Sequence, residues 1–306
     1  MPNDTFSTLA ENLKDPKSLE IADQVRRVAD LESNVLFFGE TGTGKDFWAG
    51  YLQACSRFPK MLNLNCGDVP ETLLESEWFG HRQGAFTGAD RDYPGRWVTA
   101  ENGIIFLNQI DLLGLNLQSK LLRIIERKKY FPLGANQETA IRARFLFSAD
   151  GAIEDKVKRG EFRADLFYRI STYKIFVPPL RDRKKDVVSL LNFFCHRHRV
   201  KLQLDPSELA RLLDYPWPGN IRELENFVNR AAIAGGLISG SEVAALFQSA
   251  GDFLAVQRSR EVSLEEMERA YIDFLIRKYR NKSRVAEMLK ISRKSLYNKL
   301  KKNEKS

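Results

Sequence analysis

Residues 34–38 (NVLFF) form a short apolar run that breaks directly into Gly39-Glu40-Thr41-Gly42-Thr43-Gly44-Lys45-Asp46, and a helical pattern runs on from 45 to about 56. A strand, a glycine-rich turn and a helix in that order leave few folds open. Glycines let the backbone curl so that successive N–H groups point inward as a nest for phosphate oxygens. The helix that follows adds its positive N-terminal end. Lys45 is then placed to reach the outer phosphates of a nucleotide. A strict P-loop continues with Ser or Thr, whose hydroxyl helps to hold magnesium, and Asp46 stands there instead. On spacing alone a coincidental glycine-rich turn is a rival reading; the strand before and the helix after favour the phosphate nest.

The same alternation continues along the chain. Residues 61–65, 103–107 (GIIFL) and 144–149 (RFLFSA) read as further short strands, with helical patterns such as 117–126 between them. Strands alternating with helices imply a parallel α/β sheet. After 177–180 (VPPL) the strand signals stop. From 186 to about 235 the pattern is helical, broken at 215–220 (YPWPGN), where Asn220 is expected to cap the next helix. Residues 236–262 are rich in Gly, Ser and Ala and read as a linker with a short helix. A last helical unit fills 263–306.

Charge marks that last unit. The chain of 306 residues carries a formal net charge of +8. Residues 282–306 hold nine basic side chains and two acidic ones, nearly the whole excess. A cationic tail of this kind suits a polyanion such as nucleic acid. Val285, Ala286 and Leu289 share one helical face, a break falls at Ile291-Ser292, and Leu296 and Leu300 face inward from a second helix. Two short helices around a tight turn make a helix-turn-helix, with Arg293, Lys294, Ser295, Tyr297, Asn298 and Lys301 set to meet a groove or phosphates. A basic two-helix cap is the alternative.

Other classes drop out. With 43% apolar and 29% charged residues the chain is globular, and no apolar run approaches the ~20 residues of a membrane span. The N-terminus lacks the apolar core of a signal peptide. Cys55, Cys66 and Cys195 are odd in number and far apart, and Cys195-His196-Arg197-His198 fits no zinc signature, so inert thiols in a cytoplasmic protein are expected, with no metal held by protein ligands alone.

One further motif is Gly84-Ala85-Phe86-Thr87-Gly88-Ala89, a single aromatic between small residues and glycines. It reads equally as a flexible loop with an exposed Phe86 or as a tight turn with Phe86 in the core.

Taken in order, GETGTGKD, LNLNCGDVPETLLESEWFGHRQGAFTGA, GEFRADLFYRI, VPPLRDRKKD and YPWPGNIRELEN resemble the AAA+ central domain of bacterial sigma-54-dependent transcription activators. The C-terminal unit resembles their Fis-type helix-turn-helix. The resemblance implies an AAA+ P-loop NTPase fold with a parallel sheet over residues 1–178, a helical lid over 179–238, a linker over 239–262 and a small all-α DNA-binding domain over 263–306. It implies ATP with Mg2+ as cofactors, sigma-54 RNA polymerase and duplex DNA as partners, and a ring of like or mixed subunits. An acidic residue after the P-loop lysine is common in that family. Residues 84–89 match the loop that touches sigma-54. Arg163 and Arg169 match arginine fingers offered to a neighbour's nucleotide. Arg222 matches the sensor II arginine, and Asn65 the residue that contacts the Walker B glutamate as nucleotide state changes.

Two departures stand out. The family's Walker B strand ends in Asp-Glu, which position magnesium and polarise the attacking water; here Asn108-Gln109 follow the apolar run. An amide keeps the shape, stays a weak metal ligand and cannot act as a base, so hydrolysis is expected to be impaired and Mg2+ weakly held. Ser148-Ala149-Asp150 stand where the family ends a strand in a sensor I Asn. Asp150 and Asp111 are candidate stand-ins for the missing charge. The chain is also read as starting almost directly at the AAA+ domain, without a receiver domain. Two functions compete: an ATP-driven activator, and a hydrolysis-deficient scaffold, mixed-ring partner or inhibitor.

Overall fold

The computed structural model describes residues 3–67 and 70–246. The recognition residues expected at 293–301, with the rest of 263–306, lie outside the described residues.

Five parallel strands make the central sheet: β1 (Val35–Phe38), β2 (Met61–Asn65), β3 (Ile104–Asn108), β4 (Arg144–Ala149) and β5 (Tyr173–Phe176). Their spatial order is β2-β3-β4-β1-β5. Ile104, Ile105, Phe106 and Leu107 are all buried, as are Phe145, Leu146 and Phe147. Such continuous apolar runs are what a parallel sheet covered on both faces demands. β3 begins one residue later than its apolar pattern suggests, so Asn108 is the strand's last residue, opposite Asn65 of β2.

Two helices precede the sheet and escaped the sequence reading: α1 (Asn3–Asn12) and α2 (Pro16–Val28). Asp15 caps α2 by accepting from the Lys17 N–H, with Pro16 in the first turn. The buried Arg144 guanidinium closes the other end, donating to the carbonyls of Val28, Ala29 and Ser33. Burial lowers its pKa to about 10, so the ion remains charged at neutral pH beside a helix C-terminus that favours a cation.

Crossover helices α3 (Lys45–Ala54), α4 (Glu71–Phe79), α5 (Leu115–Arg127), α6 (Ile153–Lys158) and α7 (Ala164–Ile170) flank the sheet. The lid follows as α8 (Lys185–His198), α9 (Pro206–Asp214) and α10 (Asn220–Ile233). The fully buried Asp186 fastens α8 to the N-terminal segment. It accepts from the backbone N–H of Lys14 and Asp15 and from the Ser18 hydroxyl. Residues 201–202 and 237–238 pair as a short parallel ladder. Ile238 and Val243 are buried, so the stretch expected to be linker opens with packed residues.

Asn220 corrects one expectation. Gly219 occupies the cap position of α10 without any side-chain cap, and Asn220 is the helix's first residue, with φ of 55°. Its amide is spent elsewhere, on the glycine-rich turn.

Candidate functional site

The turn between β1 and α3 is held from outside by the lid, carbonyl by carbonyl. Asn220 Nδ2 donates to the Thr41 carbonyl at 3.0 Å, the Ile221 N–H to that of Gly42 at 2.9 Å, and Arg183 Nη2 to that of Thr43 at 2.5 Å. Asn220 Oδ1 accepts from the Leu180 N–H at 2.8 Å, so both faces of this buried amide are used. Glu40 pairs with Arg181 at 2.5 and 2.9 Å and receives Asn220 Nδ2 at 3.2 Å. Arg181 holds the Glu40 carboxyl below the usual carboxylate range. A Cβ on Gly42, at φ of 80°, would lie 2.5 Å from the Gly219 carbonyl, so only glycine allows this approach.

Inside the turn, Lys45 Nζ donates to the carbonyls of Gly39 and Glu40 at 2.7 and 2.9 Å. Burial lowers its pKa, opposed by the charges of Asp150, Asp46 and Asp111. Thr41, Gly42, Gly44, Lys45, Asp46, Asn108, Gln109 and Arg222 line one cleft of about 190 Å³. The glycine-rich turn, the end of β3 and the sensor II candidate thus meet in one place.

Beside it lies a larger cavity of about 580 Å³ that the sequence reading missed. Phe6 of α1, Phe47 of α3, Leu190 and Phe193 of α8 and Ile221 of α10 line it, and it reaches Gly44 and Asp46. Its walls come from five elements far apart in the chain, Met61 of β2 among them, so no local pattern marks it.

At the end of β3 the amides form a chain. Gln109, at φ of 58°, donates its N–H to Ser148 Oγ at 3.1 Å, and the Ser148 hydroxyl donates to Asn108 Oδ1. Asn108 and Asp46 line the same cleft. Burial raises the Asp46 pKa, opposed by the charges of Lys45 and Arg222. Asn65 Oδ1 accepts from the Gly67 N–H at 3.2 Å, and Gln109 Oε1 lies against the same glycine. Asp111 is committed elsewhere: it pairs with Lys156 at 2.8 Å and accepts the Asp150 N–H at 3.1 Å. The Asp150 carboxylate accepts from the Ala152 N–H at 3.0 Å.

Magnesium beside a nucleotide takes one or two carboxylates together with phosphate oxygens. Here β3 offers two neutral amides. The oxygen of Asn108 already accepts from Ser148. Glu225, also at the cleft, is paired with Arg197 at 3.3 Å. Among the described residues no three His, Cys, Asp or Glu gather as a metal site. The end of β3 thus supplies no carboxylate to a divalent cation, and Asp46 is the acidic side chain beside Lys45 at the cleft.

Residues 84–89 form a closed loop: the Gly84 N–H donates to the Ala89 carbonyl at 2.9 Å, and the Ala89 N–H to that of Phe86 at 3.0 Å. The neck is clamped by paired backbone bonds between His81 and Tyr93, both at 2.8 Å, and by Arg82 with Asp92 at 2.5 Å. Gly84 and Gly88 hold φ of 80° and 96° in open space. Phe86 is 43% exposed and touches the His81 ring edge-on at a centroid distance of 5.0 Å. Of the two readings of this aromatic, exposure prevails. Ala85 and Thr87 lie beside it in the loop.

Arg163 precedes α7 and is exposed, bonded to Asp165 at 2.7 and 3.0 Å and to Ser119 at 3.1 Å. Arg169, also exposed, lies in the last turn of α7. Neither lines the cleft of its own chain.

A glycine-rich turn bearing a lysine at the tip of a five-stranded parallel sheet, held by a helical lid, defines an AAA+ P-loop fold. Residues 12–176, more than half of the chain, match the sigma-54 interaction domain. The chain belongs to that family. Residues 181–250 match the AAA+ ATPase lid domain, and 263–302 a bacterial regulatory protein domain of the Fis family. The chain is 42% identical over 221 residues to the anaerobic nitric oxide reductase transcription regulator NorR of Aliivibrio fischeri, covering 70% of this chain and 43% of that one. It is 42% identical over 213 residues to the regulatory protein LuxO of Vibrio cholerae, covering 67% and 40%. It thus spans less than half the length of these relatives. The structure resembles NtrX from Brucella abortus in complex with ATP, with a TM-score of 0.68 at 26% identity over 95% of this chain and 68% of that one. Among the described residues no helix is long and apolar enough to cross a membrane.

Proposed function

We propose that this chain is an ATP-binding, DNA-binding transcription regulator that acts on sigma-54 RNA polymerase through residues 84–89. The observation that carries the reading is Phe86, exposed on a loop whose neck is clamped on both sides, within the region that matches the sigma-54 interaction domain. ATP at residues 39–46 is supported by the lysine-bearing turn facing Arg222, and by the ATP complex of the similar NtrX. The cavity beside the turn has the apolar walls that a base requires. Residues 263–306 carry the contact to duplex DNA. The exposure of Arg163 and Arg169, away from their own cleft, suits arginines offered to a neighbour in a ring.

Asn108 and Gln109 favour a second reading within the same family: a subunit that binds ATP, hydrolyses it slowly or not at all, and works as a mixed-ring partner, scaffold or inhibitor. An ATP turnover assay on the purified chain, alone and with a related activator, separates the two. Brisk turnover by the chain alone means an autonomous activator. Turnover only in the mixture means a partner subunit.

A further inference from the structure

We propose that a further anion site lies at the foot of the sheet, apart from the cleft at residues 39–46, and takes a diphosphate group, free or carried on a small molecule. A cavity of about 570 Å³ opens where β4 begins, a size suited to a small ligand. Four cations line it: Arg57 beyond α3, Lys128 at the end of α5, Arg142 just before β4, and Arg144, the first residue of that strand. Among the described residues Glu32 is the one carboxylate of the lining. It takes Arg57 at 2.7 Å, and Glu101, outside the cavity, reaches Arg142 only at 3.9 Å. Lys128 and Arg144 are instead held by neutral groups. Lys128 Nζ donates to the Ala143 carbonyl at 3.1 Å and lies 4.6 Å from the centre of the Phe145 ring, while Arg144 donates to the carbonyls that end α2. Carbonyls fix where a cation sits but leave its charge in place, and gathered like charges cost energy that an anion would return. Burial lowers the pKa of both groups, with Glu32 the first opposing charge in each. The Phe58 ring steadies Arg57 and Arg144, whose guanidinium carbons lie 5.5 and 5.7 Å from its centre. A lone carboxylate would answer one of the excess positive charges, and a phosphate monoester about 1.5–2 of them. A diphosphate answers more, with two sets of oxygens for the arginine forks. The site is separate from the glycine-rich turn: Arg144 opens β4, whereas Ala149 at its far end lies opposite Phe38, just before the turn, about 17 Å along the strand.

The test titrates inorganic pyrophosphate, without divalent ions, into the whole chain carrying Lys45→Ala, so that the glycine-rich turn does not compete, and follows the heat of binding. The proposal expects one site, with orthophosphate and sulfate bound at least about tenfold more weakly at equal ionic strength. Adding Lys128→Ala with Arg142→Ala should weaken pyrophosphate at least about tenfold, since two charge-assisted contacts are lost. Lys129→Ala, whose ammonium pairs with Glu138 at 3.1 Å, is the control and should leave the affinity unchanged. ADP bound more tightly than pyrophosphate, and weakened by the same two substitutions, makes the ligand a diphosphate on a carrier; ADP bound no better makes it free pyrophosphate. Should Lys45→Ala not fold, the parent chain should show two pyrophosphate sites, of which Lys128→Ala with Arg142→Ala removes one. Pyrophosphate affinity unchanged by those two substitutions overturns the proposal. So do equal affinities for the three inorganic anions, and so does absence of binding.

Discussion

Glu40 and Arg181 are 141 residues apart in sequence and joined by two charge-assisted hydrogen bonds, at 2.5 and 2.9 Å, across the seam between the glycine-rich turn and the lid. Both side chains are more than 40% exposed, so solvent screens the pair and Glu40→Gln should cost only about 0.2–1 kcal/mol of stability at neutral pH. Arg181 lowers the Glu40 pKa from its ordinary 4.5. The contribution is therefore present above the unfolded value and lost as pH falls through the lower folded one. Thermal unfolding of parent and variant in a pH series should show two melting temperatures that draw together as the pH falls below 4.5 and through the lower folded value. A gap that widens in acid contradicts the pairing.

Asn220 serves three groups from one buried amide, so Asn220→Ala leaves the Leu180 N–H and the Thr41 carbonyl without their partner. Each unsatisfied buried group costs about 1–3 kcal/mol, and chemical denaturation should report a loss in that range or above. ATP affinity should weaken with it, because the turn loses one of its holds. A fully stable variant with parental affinity would show the contact to be idle.

Phe86→Ala removes a ring that is 43% exposed with one edge contact, so the melting temperature should hardly change. Binding of sigma-54 by the nucleotide-loaded protein should be abolished. The two measurements together decide the point: a sharp fall in melting temperature with sigma-54 binding retained makes Phe86 a packing residue.

On the proposed reading, Asn108 and Gln109 at the end of β3 slow ATP hydrolysis. Loss of a positioned base typically costs 10²–10⁴-fold, or about 3–5 kcal/mol of barrier. Turnover by the chain alone should accordingly be slow or absent. Asn108→Asp combined with Gln109→Glu should restore it, and Lys45→Ala should remove ATP binding. Brisk parental turnover that disappears in Asp150→Asn or Asp111→Asn would assign the charge to those residues instead.

Removal of residues 263–306 should eliminate binding to duplex DNA and leave ATP binding intact. Binding by the whole chain should weaken steeply with salt, the slope of log K against log salt being about −0.9 per phosphate contacted. Unchanged DNA affinity after truncation would move the contact to the AAA+ region.

What was legible in the sequence was local. The run from Val35 through Lys45 announces strand, turn and helix because its pattern and its glycines lie within a dozen residues. The apolar strings of β3 and β4 do the same. Asn108 and Gln109 stand out only against the resemblance to a family whose corresponding strand ends in Asp-Glu. The contacts that organise the site were out of reach, because their partners lie far along the chain: Asn220 beside Thr41, Asp186 beside Lys14, Arg183 beside Thr43. Asn220 follows Pro-Gly just before a helical pattern and so resembles a cap. Only the approach of the lid diverts its amide. The cavity between α1, α3, β2, α8 and α10 has no sequence signature for the same reason.

The three carbonyls that the lid holds have a second end. Each belongs to a peptide plane whose opposite edge is an N–H: the plane of the Thr41 carbonyl carries the Gly42 N–H, that of Gly42 the Thr43 N–H, and that of Thr43 the Gly44 N–H. None of these three N–H groups donates to a backbone carbonyl among the described residues. A donor bonded to one edge of a peptide group withdraws electron density and sharpens the acidity of the other, an effect of about 10–30% per bond. Asn220, Ile221 and Arg183 thus act on the inner N–H groups through the amide bonds themselves. An anion that takes those N–H groups strengthens the grip of the lid in return. If this turn takes phosphate as proposed, its hold on the anion and the hold of the lid on the turn draw on the same three peptide dipoles.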